Sequence, residues 1–97
     1  MIGVTETERP RGAARVKLFQ PTTLHGAGAP RRAHLLDLSI SGALVHALEP
    51  PAVGGFVRIE VAGEARIARV AWSRGKRFGI RFAMPLTASQ VVAATKS

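Results

Sequence analysis

The sequence predicts an all-β protein with a short terminal helix: six short antiparallel strands closed into a small barrel, then one helix. Three observations predict it. Short runs of alternating apolar and polar residues recur along the chain, each bounded by Gly, Pro or Ser turns. At 97 residues the chain suits one domain with one hydrophobic core. Only its C-terminal end combines helical spacing with a helix start signal.

The first strand begins at Val16-Lys17-Leu18, and Pro21 within it marks an edge or a bulge. His25 to Pro30 is a Gly-rich loop. From Ala33 to Ile40 the alternation puts Leu36, Leu38 and Ile40 on one face and Leu35, Asp37 and Ser39 on the other. The first set is expected inside, with Asp37 and Ser39 pointing outward together. Gly42 ends a turn, and Ala43 to His46 returns as a short strand. After the loop Pro50 to Gly55, the residues Val57, Ile59 and Val61 face inward from a half-buried strand. Ala62-Gly63-Glu64 turns tightly into a strand over Ala65 to Ser73, whose phase slips between Ile67 and Val70, the mark of a bulge. Arg74-Gly75-Lys76 turns into a last strand with Phe78, Ile80 and Phe82 inward, stopped by Pro85. Thr87 and Gln90 match a capping box, so a helix through Val91, Val92 and Ala94 follows, at about 87–96. Residues 1–8 read as a flexible arm and 9–97 as one domain.

Fourteen Lys and Arg against six Asp and Glu give a net charge of +8, which favours an anionic partner. An Arg- and Ala-rich background composition explains part of that excess. It does not explain why Arg9, Arg11, Arg15 and Lys17 cluster. With no cysteine, disulfides, thiolate metal sites and cysteine nucleophiles are excluded. No apolar run approaches the ~18 residues of a membrane span, so no membrane insertion is expected. The polar start carrying Glu6 and Glu8 does not read as a signal peptide, and cytoplasmic residence follows as the default.

Catalysis finds little support. No GxSxG and no paired carboxylates occur, and Gly26-Ala27-Gly28 lacks the strand-turn-helix setting of a dinucleotide fingerprint. His25, His34 and His46 have no metal-ligand spacing and read as surface histidines. The chain is not expected to be an enzyme or to bind a metal.

Two fragments carry chemistry. Arg11-Gly12-Ala13-Ala14-Arg15 offers two guanidiniums four residues apart. Asp37-Leu38-Ser39-Ile40-Ser41-Gly42 offers a carboxylate, a hydroxyl and a flexible backbone position. Guanine's N7/O6 edge suits a bidentate Arg, its N1–H and N2–H₂ edge suits a carboxylate, and phosphate suits the Arg fork. A ligand with both guanine and phosphate would use every one of these groups. Ser39 and Gly42 also read as ordinary turn residues, and Trp72 as a packing residue. Asp37, set among Arg31, Arg32 and His34, is expected to hold those arginines when no ligand is bound.

The pair RxxxR then DxSxxG resembles the PilZ domain, a family of bacterial receptors for the second messenger cyclic di-GMP. Ala68 to Trp72 and Arg77 to Phe82 are similar to that family's closing strands, so the resemblance covers residues 9 to 84. It implies the same six-stranded barrel, with cyclic di-GMP as ligand and no cofactor. By resemblance Arg11, Arg15, Asp37, Ser39 and Gly42 contact the ligand, with further contacts at Arg9 and Trp72. The arginine arm would close over it, and a downstream protein partner would receive the signal. One or two ligand molecules are both compatible with the motifs. Two other readings remain: a PilZ-like interaction module without nucleotide, and a small basic RNA-binding barrel. Against the last, four of the five aromatic residues, the phenylalanines, are expected in the core, leaving few rings for stacking bases.

Overall fold

The structure, a computed structural model, describes residues 15–26 and 28–95. Arg9, Arg11 and the arm over 1–8 lie outside the described residues. Six antiparallel strands form a closed barrel: β1 Val16–His25, β2 Arg31–Leu38, β3 Gly42–His46, β4 Phe56–Val61, β5 Glu64–Arg74 and β6 Arg77–Phe82. A helix, α1 Ala88–Thr95, follows. Around the wall the order is β1-β2-β3-β6-β5-β4, and β4 returns to β1 through Leu24↔Ile59 and His25↔Arg58. Thr22 strengthens that seam, its Oγ1 donating to the Glu60 carbonyl at 2.6 Å. The expected fold is the one observed.

β4 follows the period-2 rule without interruption, and β6 departs from it only at Gly79, which the Trp72 indole covers. Val57, Ile59 and Val61 are buried from one strand, Phe78, Ile80 and Phe82 from the other. Between β4 and β5, Ala62 (φ 53°) and Gly63 (φ 80°) form the two-residue turn, both in the left-handed region that hairpin twist requires. α1 closes one end of the barrel, burying Val91 and Ala94 in the same core with Leu86. Its capping box forms as expected: Gln90 N–H donates to Thr87 Oγ1 at 3.1 Å, and Thr87 N–H donates to Gln90 Oε1 at 2.8 Å. The Gln20 side chain donates to the Ala94 carbonyl, tying β1 to the helix.

Four expectations about the chain's two faces are corrected. β2 is bulged between Leu35 and Asp37, so Ala33, Leu35 and Leu38 are the buried set. Leu36 is half-buried and Ile40 exposed, the reverse of an unbroken alternation. The same shift leaves Ser39 buried instead of outward with Asp37. In β5 the slip falls between Val70 and Trp72, one turn of the pleat later than expected; Ile67 simply faces solvent. In β1, by contrast, the bulge that Pro21 marked is present, between Lys17 and Gln20 just ahead of it. Finally, only Phe78 and Phe82 are core phenylalanines. Phe19 is 72% exposed and stacks on His34, with centroids 4.6 Å apart. Phe56 is 66% exposed, with the Arg69 guanidinium 5.9 Å from its ring centre.

Candidate functional site

Three bulges and turns bring distant residues to one place on the outer wall. The β2 bulge turns Asp37 outward just before the turn into β3. The β5 bulge does the same for Trp72. β6 lies between β3 and β5, so Gly42 pairs with Arg81 and Gly79 with Trp72. The result is a hollow of about 190 Å³ lined by Arg15, Asp37, Ser39, Gly42, Trp72 and Arg81, among others. Every sequence-singled residue within the described chain is in this lining; Arg9 and Arg11 lie outside the described residues.

Asp37 has a different partner from the one expected. Its Oδ2 lies 3.4 Å from Arg15 Nη1, so the acid of the second motif meets an arginine of the first. The Asp37 side chain is only 14% exposed and that of Arg15 is 71% exposed. Neither Arg31 nor Arg32 pairs with it. The Arg31 Nη1 donates instead to the Glu49 carbonyl at 2.6 Å, because β2 carries residue 31 to the far end of the strand. Arg15 is thus held at the hollow by a partly shielded carboxylate.

Ser39 clamps the β2–β3 turn. Its N–H donates to the Gly42 carbonyl at 2.9 Å, and its hydroxyl lies 3.3 Å from both the Gly42 carbonyl oxygen and the Gly42 nitrogen. Gly42 is required by crowding from within the protein. A Cβ there would run into the Ile80 carbonyl of β6. Gly42 is not among the residues with positive φ, so close strand approach, and not chain reversal, accounts for it. Trp72 packs and is presented at once: its indole lies over the bare backbone of Gly79, yet 46% of the residue is exposed.

Arg81 is the residue that sequence reasoning did not single out. The inward set Phe78, Ile80 and Phe82 already put it outside, but its place beside Gly42 needs the β3–β6 pairing. It stands directly opposite Arg69, which in turn stands opposite Phe56. Two like charges face to face disfavour the strand pair by roughly 0.2–1 kcal/mol. No acid partners either of them among the described residues.

A closed barrel with a positively rimmed hollow on its wall is a binding module in form, and no group of three metal-ligating side chains occurs among the described residues. The family model of the PilZ domain matches residues 8–95, and the chain belongs to that family. PilZ domains are receptor and adaptor modules, not enzymes. The chain is similar to the crystal structure of the PilZ domain of CeSA from a cellulose-synthesizing bacterium. The identity is 21%, over 84% of this chain and 91% of that one, with a TM-score of 0.57. At that identity the likeness concerns the fold. No curated protein matches the chain. No helix among the described residues is long and apolar enough to cross a membrane.

Proposed function

We propose that the protein is a cytoplasmic receptor that binds cyclic di-GMP at the Arg15–Asp37–Trp72 hollow and relays its presence to a protein partner. The observation that supports the reading is that Arg15, the second arginine of the first motif, meets Asp37, Ser39 and Gly42 of the second at one hollow, with Asp37 and Arg15 in contact. Asp37 reads the donor edge of guanine; Arg15 and Arg81 meet phosphate or the N7/O6 edge; Trp72 offers a ring for stacking. Ser39 acts through the turn, holding Gly42 and the backbone beneath the base. Arg11 and Arg9, outside the described residues, are proposed as further contacts to the same ligand on the strength of the motif alone. The test is calorimetric titration of the full chain with cyclic di-GMP, with GMP, GTP and cyclic di-AMP as controls. Binding of cyclic di-GMP alone is expected. Equal binding of cyclic di-AMP would remove Asp37 as the guanine reader, and no uptake of cyclic di-GMP would sink the proposal.

One observation favours a second reading, a nucleic-acid-binding barrel. Phe56 is exposed beside Arg69 and Arg81, a ring and two cations on one outer rung. Salt separates the two. A polymer making ~6–10 phosphate contacts loses about three to five decades of affinity between 50 and 200 mM salt on the duplex scale. A dinucleotide with two phosphates loses far less.

A further inference from the structure

A second concave region, of about 460 Å³, lies at the other end of β2 and β3, remote from Asp37 and Gly42. Its lining includes Arg31, Arg32, His34, His46, Leu48 and Glu49. The register extends it along the wall. His34 stands opposite His46, His46 opposite Arg77, and Arg77 opposite Arg74. Opposed residues of antiparallel strands share a face, so these four side chains form one rung across β2, β3, β6 and β5. Arg32, two residues from His34, is on the same face. None of Arg32, Arg74 and Arg77 has an acidic partner among the described residues. Leu48, 74% exposed, stands at the rim, and Phe19 backs the His34 ring at an interplanar angle of 11°.

We propose that this cleft and rung form a docking surface for an extended acidic segment of a protein partner. Its carboxylates would stand at alternate positions, with an apolar side chain at one end beside Leu48. The proposal rests on the adaptor reading only in requiring a partner; it does not need the nucleotide. Charge and length both select the occupant. Three strand spacings of about 4.8 Å make the rung roughly 14 Å long, and alternate residues of an extended peptide stand ~6.6 Å apart, so three carboxylates span it. A polynucleotide draws on more phosphate contacts than these four side chains supply.

The experiment is fluorescence anisotropy on the full chain at low salt. The probe is a labelled heptapeptide with leucine at one end and glutamates at alternate positions. A glutamine version and a uridine oligonucleotide of equal charge serve as controls. The glutamate peptide is expected to bind and the glutamine version not to. Arg32→Glu and Arg77→Glu should each weaken binding about fivefold or more, and Leu48→Ser should weaken it as well. Arg58→Glu, on β4 across the barrel, should not. Arg77→Glu should also leave cyclic di-GMP affinity unchanged, so failure of the nucleotide reading and failure of this one are seen separately. Arg77→Ala repeats the test should the reversal unfold the chain, as read by thermal melting. Absence of peptide binding, binding indifferent to all three substitutions, or tighter binding of the oligonucleotide through the same residues would overturn the proposal.

Discussion

Replacing Gly42 by alanine is expected to damage the barrel itself. A Cβ at this position would lie 2.1 Å from the Ile80 carbonyl oxygen, where carbon and oxygen ordinarily stay beyond about 3.0–3.4 Å. The obstacle is backbone, and it is held from both sides: Ile80 pairs with Ala43 of β3 and with Val70 of β5. The two strands must therefore part by roughly 1 Å. That movement strains the 2.9 Å bonds from Ser39 N–H to the Gly42 carbonyl and from Phe82 N–H to the Ser41 carbonyl. Overpacking costs about 1–3 kcal/mol, and each weakened bond adds up to about 1 kcal/mol. A total near 3 kcal/mol lowers the melting temperature of a domain this size by roughly 10–25 °C. Gly79→Ala is the internal comparison. There the obstacle is the Trp72 indole, a half-exposed side chain that can swing away, so stability should fall far less while the hollow changes shape. Thermal melting by circular dichroism reads the first effect, and fluorescence of the single tryptophan reads the second. A Gly42→Ala variant melting within about 4 °C of the parent, under the shift for 1 kcal/mol, would refute the reasoning. So would a Gly79→Ala variant less stable than it.

Three further outcomes are expected. Ala62→Asn should raise the melting temperature by a few degrees, since Asn-Gly suits a turn with both central residues left-handed and alanine pays roughly 1 kcal/mol there; an unchanged or lower value counts against the turn geometry. Thr87→Ala removes half of the capping box and should cost about 1 kcal/mol, seen as a melting shift of about 4–8 °C with cyclic di-GMP affinity retained. Arg81→Ala should weaken cyclic di-GMP binding about tenfold by calorimetry, the loss of one charge-assisted contact. Its stability should hold or rise, because Arg69 loses its like-charged neighbour; unchanged affinity would take Arg81 out of the site.

Much of this was legible in the sequence. β4, β6 and the capping box were readable because their signals are local and uninterrupted: Val57-Ile59-Val61, Phe78-Ile80-Phe82, Thr87 with Gln90. The reading of β2 failed where the signal is tertiary. Leu35, Leu36 and Leu38 are all apolar, so their pattern fits either phase, and only the register with Leu44 and Val45 of β3 shows where the bulge falls. Residue type alone places Phe19 and Phe56 in the core, whereas a neighbouring imidazole and guanidinium cover part of each ring at the surface. Of the candidate site, the motif residues were visible as types at a spacing. Arg81 was not, because its position depends on β6 lying between β3 and β5, a crossover that no local pattern records.

The seam of the barrel sets an order in which the molecule loosens. β1 meets β4 only at its C-terminal end, around Leu24 and His25, whereas its first residues pair with the end of β2, at Leu38 and Asp37. Hydrogen exchange should record this as a gradient along one strand: faster at Val16 and Lys17, which pair with β2 but not β4, and slow at Leu24, which pairs with both. Arg15 and Asp37 sit at the fast end. Rearrangement around the proposed ligand would therefore need to break only pairs of β1 with β2 there, leaving the closing pairs at Leu24 and His25 intact.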